Sequence, residues 1–163
     1  VACLGRRERA RGAEPSGLIT PRHGPRGVET YWAPHTPDRT GLLYSLSKTF
    51  TGSALGLAIG EGLLSLDDLV ADHLPDKMEG ADERTRRMRL RHIASMASGH
   101  DREMLAEAMV ADRDDPVRGF FTIPPDQEPG PLFRYNQSPD LALGAIHERR
   151  PGPRLHRTPR PTG

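Results

Sequence analysis

The chain has 163 residues, one domain's worth, of which 35% are hydrophobic and 5% aromatic. Its formal net charge of +1 gives no strong attraction to nucleic-acid phosphates. Its apolar runs are shorter than the roughly 18 residues that a membrane-spanning helix needs. These properties argue against a nucleic-acid partner and against a membrane span.

The two ends of the chain differ in composition from its middle. Residues 1–30 and 149–163 are rich in arginine, proline and glycine and poor in apolar side chains. Such segments bury too little surface to offset the entropy of ordering, so we predict that both ends are disordered and that a domain spans 31–148. Out-of-frame translation of a GC-rich gene would give the same mixture of residues and is a second explanation for these ends.

Helices dominate the predicted secondary structure. Residues 45–62 are small and apolar nearly all round, which predicts a helix packed in a core and ended by Gly62. Ser65 and Asp68 then predict a capping box for a short helix that stops before Pro75.

Two further helices and a loop are predicted beyond this point. Residues 90–97 predict a helix closed by Gly99, and residues 103–111 predict another that ends before Pro116. The proline-rich residues 120–133 predict a loop. Because no segment of four or more residues alternates convincingly between apolar and polar side chains, we expect the ordered part to be mainly helical.

A serine and a lysine three residues apart are the strongest chemical signal. Ser45 and Lys48 share one face of the predicted helix, so the hydroxyl and the amine can meet. A serine hydroxyl needs a base to become a nucleophile, and a lysine desolvated in a core helix can supply a neutral amine. Arginine cannot, because it stays protonated in proteins. The spacing predicts acyl-transfer chemistry, with a solvated helix start bearing a surface lysine as the alternative.

Three segments in order carry a resemblance to a known family. They are LLYSLSKTFTGSALGLAIGEGLLSLDDLV, MRLRHIASMASGHD and PGPLFRYNQSPDLALGAIHER, which together run from about Tyr31 to about Arg149. The chain resembles the serine β-lactamase and penicillin-binding-protein superfamily, and most of all its class C β-lactamase-related serine hydrolases. The resemblance implies an α+β, β-lactamase/transpeptidase-like fold, of which this chain holds mainly the helical part and lacks most of the antiparallel sheet.

The resemblance also implies roles for individual residues. Ser45 corresponds to the acylated nucleophile, Lys48 to its activating partner, and Tyr135 to the tyrosine that passes a proton to the leaving group. Asn136 and Gln137 are implied substrate-binding residues, although the family usually has a small residue followed by an asparagine there. For Tyr135 taken alone, a core aromatic before a helix is the alternative.

One element of the family's site has no clear counterpart in this sequence. The family carries Lys-Thr-Gly or His-x-Gly on a strand that lines the opposite wall of the site, and only Pro161-Thr162-Gly163 weakly resembles it. We therefore expect a serine hydrolase of ester, amide or β-lactam substrates that is inactive as this chain alone. A non-catalytic helical fragment or interaction module is the alternative.

The remaining residues suggest no cofactor. The histidines at 73, 92 and 100 lack metal-ligand spacing, so we predict no metal site, and the single Cys3 excludes an internal disulfide. We expect a small-molecule or peptide substrate as the partner. No signal-peptide core is visible, which makes the cytoplasm the default location, and the sequence gives no oligomeric state.

Overall fold

The structure is a computed structural model that describes residues 12, 15–24 and 26–149, Arg26 by its backbone alone. By its contacts the chain divides into two units, Val1–Tyr44 and Ser45–Gly163. The predicted tail lies outside the described residues apart from Arg149, and so do Cys3 and Pro161-Thr162-Gly163.

The first unit contains two antiparallel strands, β1 (Gly17–Pro21) and β2 (Arg26–Tyr31). Gly17 pairs with Tyr31, and the register shifts between Thr20 and Pro21. A Cβ on Gly17 would lie 2.9 Å from the Tyr31 ring, so glycine lets the ring lie against its partner strand. The sequence showed no convincing alternation here, so these two strands were not predicted. These strands lie largely within the range predicted to be disordered, and the out-of-frame origin of that range stays a prediction.

The second unit is helical in the part that the structure describes. Short 3-10 helices occupy Tyr44–Ser47, which begins at the last residue of the first unit, and Pro75–Lys77. The α-helices are α1 (Lys48–Gly60), α2 (Val70–His73), α3 (Glu83–Arg86), α4 (Leu90–Ala94), α5 (Leu105–Ala111), α6 (Pro116–Thr122) and α7 (Ser138–Glu148).

The hydrophobic core lies between α4, α5, α6 and α7. Helix α7 packs against α1, α4 and α6, and α5 packs closely against α6. The core's largest fully buried side chains include Phe120, Phe121 and Ile146. The loop before α2 is tied to the segment before α4, because the N–H of Leu90 donates to the carbonyl of Asp68 at 3.0 Å.

Helix α1 departs from its prediction in two ways. It begins at Lys48, after a 3-10 turn, rather than at residue 45. Gly62 lies just beyond its end with a left-handed φ of 71°, as expected for a glycine that terminates a helix. Its predicted burial is wrong, because Leu55 is its only buried residue, while Phe50 is 60% and Leu57 69% exposed. The apolar composition predicted that neighbouring elements pack against every side of α1, whereas the described residues pack against one side only.

Two other helical predictions are correct in part, and one helix was missed. One bond of the predicted Ser65–Asp68 capping box is present, since the Ser65 N–H donates to the Asp68 carboxylate at 2.9 Å, while the Ser65 hydroxyl accepts from the Asp67 N–H at 3.2 Å. The helix itself begins only at Val70, and α4 ends at Ala94 rather than at residue 97. Helix α6 was missed, because part of it was assigned to the loop at 120–133.

Candidate active site

The 3-10 turn and the first turn of α1 place Ser45 beside Lys48. Lys48 Nζ donates a hydrogen bond to Ser45 Oγ at 3.4 Å, as the three-residue spacing predicted. Ser45 is exposed and Lys48 is partly buried. Tyr44, directly before Ser45, has a left-handed φ of 49°, a conformation that costs a non-glycine residue about 1–2 kcal/mol. Backbone strain of this kind occurs at functional sites. No pattern in the sequence predicted the left-handed conformation of Tyr44.

Tyr135 reaches Ser45 from a segment 90 residues further along the chain. Its hydroxyl forms a hydrogen bond with Ser45 Oγ, and Lys48 Nζ lies 5.5 Å from the centroid of its ring. Tyr135 is 44% exposed, so it is not a core aromatic. The alternative interpretation from the sequence, a core tyrosine before a helix, does not describe this side chain.

Gln137 completes a cluster of four side chains. Its Oε1 accepts a hydrogen bond from Lys48 Nζ, and its backbone N–H donates to Glu103 Oε1 at 3.1 Å. Glu103 also accepts from the N–H of Leu105 at the start of α5. From the sequence, Glu103 was predicted only to begin a helix.

Asn136 is not part of this cluster. It is 1% exposed, and its Oδ1 accepts from the N–H of Met104 at 3.2 Å and of Ser138 at 3.1 Å. Its Nδ2 donates to the Arg102 carbonyl at 3.4 Å. The structure therefore brings Ser45, Lys48, Tyr135 and Gln137 together, while the Asn136 amide faces the protein interior.

The loop that carries Tyr135 is held by the turn after α4. The Arg134 N–H donates to the Met96 carbonyl at 2.9 Å, and the Gln127 N–H donates to the Gly99 carbonyl at 3.1 Å. Gly99 has a φ of 91°, and a Cβ there would overlap the Gln127 carbonyl oxygen. Only glycine fits this close approach, which explains the Ser98-Gly99 turn seen in the sequence.

His100 supports the same loop from inside. It is 1% exposed, and its Nε2 lies 3.1 Å from the Ile123 carbonyl oxygen, which can only accept. Nε2 therefore carries the proton, and Nδ1 accepts from the Ser98 hydroxyl at 3.0 Å. Burial lowers the pKa of His100 below its usual range.

The two lysines of the chain have different partners. Lys48 Nζ bonds a hydroxyl and an amide oxygen, whereas Lys77 forms an ion pair with Asp115 at the start of α6. Lys48 therefore lies where its amine can exchange a proton with Ser45, and Lys77 has a structural ion pair.

The described residues also form a groove of about 410 Å³, lined by Leu66, Arg91, His92, Ala94, Ser95 and Gly130. None of these residues belongs to the cluster. Among the residues described, no three His, Cys, Asp or Glu side chains are grouped as a metal ion would require. None of the helices described is long and apolar enough to cross a membrane.

The chain matches a known protein family. The family profile described as Beta-lactamase matches residues 6–156, nearly the whole chain. No curated protein sequence matches.

Among solved structures, the chain is similar to "Putative 6-aminohexanoate-dimer hydrolase from Bacillus anthracis", with a TM-score of 0.64 and 16% sequence identity. The match covers 86% of this chain and 41% of that protein. The likeness therefore concerns the fold, and the chain spans less than half of its solved neighbour. The α+β, mainly helical fragment predicted from the sequence is confirmed.

Proposed function

Because the chain belongs to the Beta-lactamase family of hydrolases, we propose that it carries the nucleophilic half of a serine hydrolase that forms an acyl-enzyme. One observation carries the proposal: Ser45 Oγ bonds both Lys48 Nζ and the Tyr135 hydroxyl, which approach it from different segments. A nucleophile that touches two groups able to move a proton is the arrangement that acyl transfer needs.

The proposed reaction has two steps. Ser45 Oγ attacks the carbonyl carbon of an ester, amide or β-lactam while the neutral Lys48 amine accepts its proton. Tyr135 gives its hydroxyl proton to the departing oxygen or nitrogen and regains a proton from Lys48. Water then attacks the acyl-enzyme carbonyl as Lys48 takes a proton from it, and Tyr135 protonates the departing Ser45 oxygen, which releases the acid and free Ser45; proton transfer from Lys48 to Tyr135 restores both groups. Gln137 holds Lys48 through its Oε1 and presents its amide to the substrate.

We also propose that the 163-residue chain alone is inactive. The Ser45 N–H can supply one donor to the oxyanion that forms in the transition state, and the sequence shows no clear third motif to supply the other. Losing one such donor costs roughly 100- to 1,000-fold in rate. The proposed activity therefore concerns the complete product of the gene.

Covalent labelling tests this function directly. The complete gene product is treated with a fluorophosphonate or a fluorescent penicillin, and the modified residue is mapped by mass spectrometry. We expect label on Ser45 and none in Ser45→Ala, which keeps the helical content because alanine suits a helix. Ser53→Ala is the matched control, since the Ser53 hydroxyl donates to the Thr49 carbonyl within α1. Label on another residue, or label that persists in Ser45→Ala, would refute the proposed nucleophile.

A negative result would support the second hypothesis from the sequence. If the folded complete protein takes up neither probe, a non-catalytic interaction module becomes the better description. The exposed apolar side chains of α1 would then be its natural contact surface.

A further inference from the structure

We propose that Asn136 is a positioning residue whose buried amide fixes Tyr135 and Gln137 on either side of it. The inference rests on the proposed function, because it assigns Asn136 to the same reaction. It differs from the substrate-binding role that the sequence implied, since the amide faces the interior and not the Ser45 cluster.

The hydrogen bonds of Asn136 fix its orientation. Two backbone N–H groups, of Met104 and Ser138, require an acceptor, and the Arg102 carbonyl requires a donor. Only one orientation of the amide satisfies all three groups, with Oδ1 toward the two N–H groups and Nδ2 toward the carbonyl. A substrate could recruit this amide only by breaking these bonds in a site that excludes water.

Asn136 and the residue after it are tied to the segment just before α5. The amide joins residue 136 to residues 102 and 104, and the next N–H, of Gln137, donates to Glu103. The Tyr135 and Gln137 side chains meet Ser45 and Lys48. In residues 135–137, the middle side chain is held in the interior and the two outer side chains lie in the cluster. A shift of Asn136 would therefore move the contact of Tyr135 with Ser45 and that of Gln137 with Lys48 together.

The first test compares Asn136→Ala with Ser138→Ala in the complete gene product. A displacement of about 1 Å in a catalytic group costs roughly 100-fold, so Asn136→Ala should slow Ser45 labelling by roughly 10- to 100-fold. Ser138 is an equally buried neighbour whose hydroxyl has no hydrogen-bond partner among the described residues, and its alanine variant should label at nearly the wild-type rate. Equal rates for Asn136→Ala and the wild type would overturn the proposal.

A double-mutant cycle separates positioning from a general loss of structure. Tyr135→Phe alone should slow labelling by about 100-fold by removing the proton shuttle. If Asn136 acts through Tyr135, adding Asn136→Ala to Tyr135→Phe should cost several-fold less than it costs in the wild type. The same fold loss in both backgrounds would mean that Asn136 does not act through Tyr135, and would overturn the proposal that it positions that residue.

A conservative variant covers the case in which Asn136→Ala does not fold. Asn136→Asp keeps both acceptor contacts, and its protonated form also restores a donor to the Arg102 carbonyl. The labelling rate of this variant relative to the wild type should therefore rise as the pH is lowered from about 8 to about 5. A ratio that stays constant with pH would contradict the role of the donor.

Hydrogen exchange distinguishes failure of this inference from failure of the proposed function. If the wild type takes no label at Ser45, the proposed function fails. Amide hydrogen exchange then still tests whether Asn136 holds the backbone at Met104 and Ser138. The amides of Met104 and Ser138 should lose protection in Asn136→Ala and keep it in Ser138→Ala. Unchanged protection at both amides would refute the anchor, whatever the labelling shows.

Discussion

At the scale of single residues, the proposed chemistry depends on the ability of Lys48 to lose a proton. Lys48→Arg keeps the positive charge and removes that ability, since a guanidinium is not deprotonated in a protein. We expect the labelling rate of Ser45 in the complete gene product to fall nearly as far as in Lys48→Ala.

The second lysine of the chain provides the control for this substitution. Lys77 pairs with Asp115, a contact that arginine can also make, so Lys77→Arg should label at close to the wild-type rate. A Lys48→Arg variant with near wild-type turnover would show that Lys48 is not the base.

His100 makes the stability of the loop that carries Tyr135 depend on pH. Burial is the main cause of its lowered pKa; Arg102 also lowers the pKa, whereas the Ile123 carbonyl, Asp126 and Asp82 raise it. The unfolded chain therefore binds a proton more readily than the folded one near the unfolded pKa of about 6.5. The stabilising contribution is complete above about pH 6.5 and is lost as the pH falls through the pKa of the folded state.

Chemical denaturation at a series of pH values measures this contribution. The free energy of unfolding should fall below about pH 6.5, and His100→Gln should show a shallower fall because it cannot titrate. His92, whose pKa is also lowered by burial, is removed in parallel as His92→Gln. If the pH dependence of His100→Gln matches that of the wild type, His100 is not the titrating group.

At the scale of elements, the close approach of α5 and α6 depends on one glycine. A Cβ on Gly119 would overlap the carbonyl oxygen of Ala108, which is backbone and cannot move without shifting α5. Gly119→Ala should therefore lower the free energy of unfolding by about 1–3 kcal/mol or more.

Gly144 in α7 is the matched control, because a Cβ there meets nothing within 4 Å. Gly144→Ala should raise the free energy of unfolding by roughly 0.5–1 kcal/mol through helix propensity. Chemical denaturation of the two variants decides between these effects. A Gly119→Ala variant as stable as Gly144→Ala would mean that the two helices can separate without cost.

The helices could be predicted from sequence where local signals agree. Helix α5 was predicted to within two residues at its start and ended where expected, because its apolar spacing and its charged termination are local. Helix α6 was missed because Asp115-Pro116 was taken as an end signal. In the structure these residues form its start, where the Asp115 side chain accepts from the Arg118 N–H at 3.1 Å. An Asp-Pro pair can follow the end of one helix or begin the next, so the local pattern alone could not show which of the two it does here.

The candidate site could be predicted to a similar extent. The proximity of Ser45 and Lys48 followed from their spacing, and Tyr135 and Gln137 were indicated by the family resemblance. The inward orientation of Asn136 could not be predicted, because it depends on backbone groups at 102, 104 and 138 that meet only in the folded chain. Strands β1 and β2 were missed because neither buries an apolar face, so their alternation is weak.

At the scale of the whole molecule, the chain corresponds to 41% of its solved neighbour and leaves apolar side chains of α1 exposed. Phe50 is 60% and Leu57 69% exposed, as is Leu46 at 60% in the 3-10 helix before α1, whereas Leu55 is 6% exposed. In a complete β-lactamase-like domain such a surface would be covered, since patches of several hundred Å² are rare on soluble monomers.

We therefore expect the 163-residue chain alone to bind a hydrophobic dye, to self-associate, to melt over a broad range and to take no label at Ser45. Replacing Phe50 and Leu57 together by serine should reduce dye binding and self-association in ultracentrifugation without loss of helical circular dichroism. Leu55→Ala is the contrasting variant, because it removes core packing and should cost about 2–5 kcal/mol. A sharp cooperative melt accompanied by Ser45-dependent hydrolysis would show that these 163 residues form a complete enzyme.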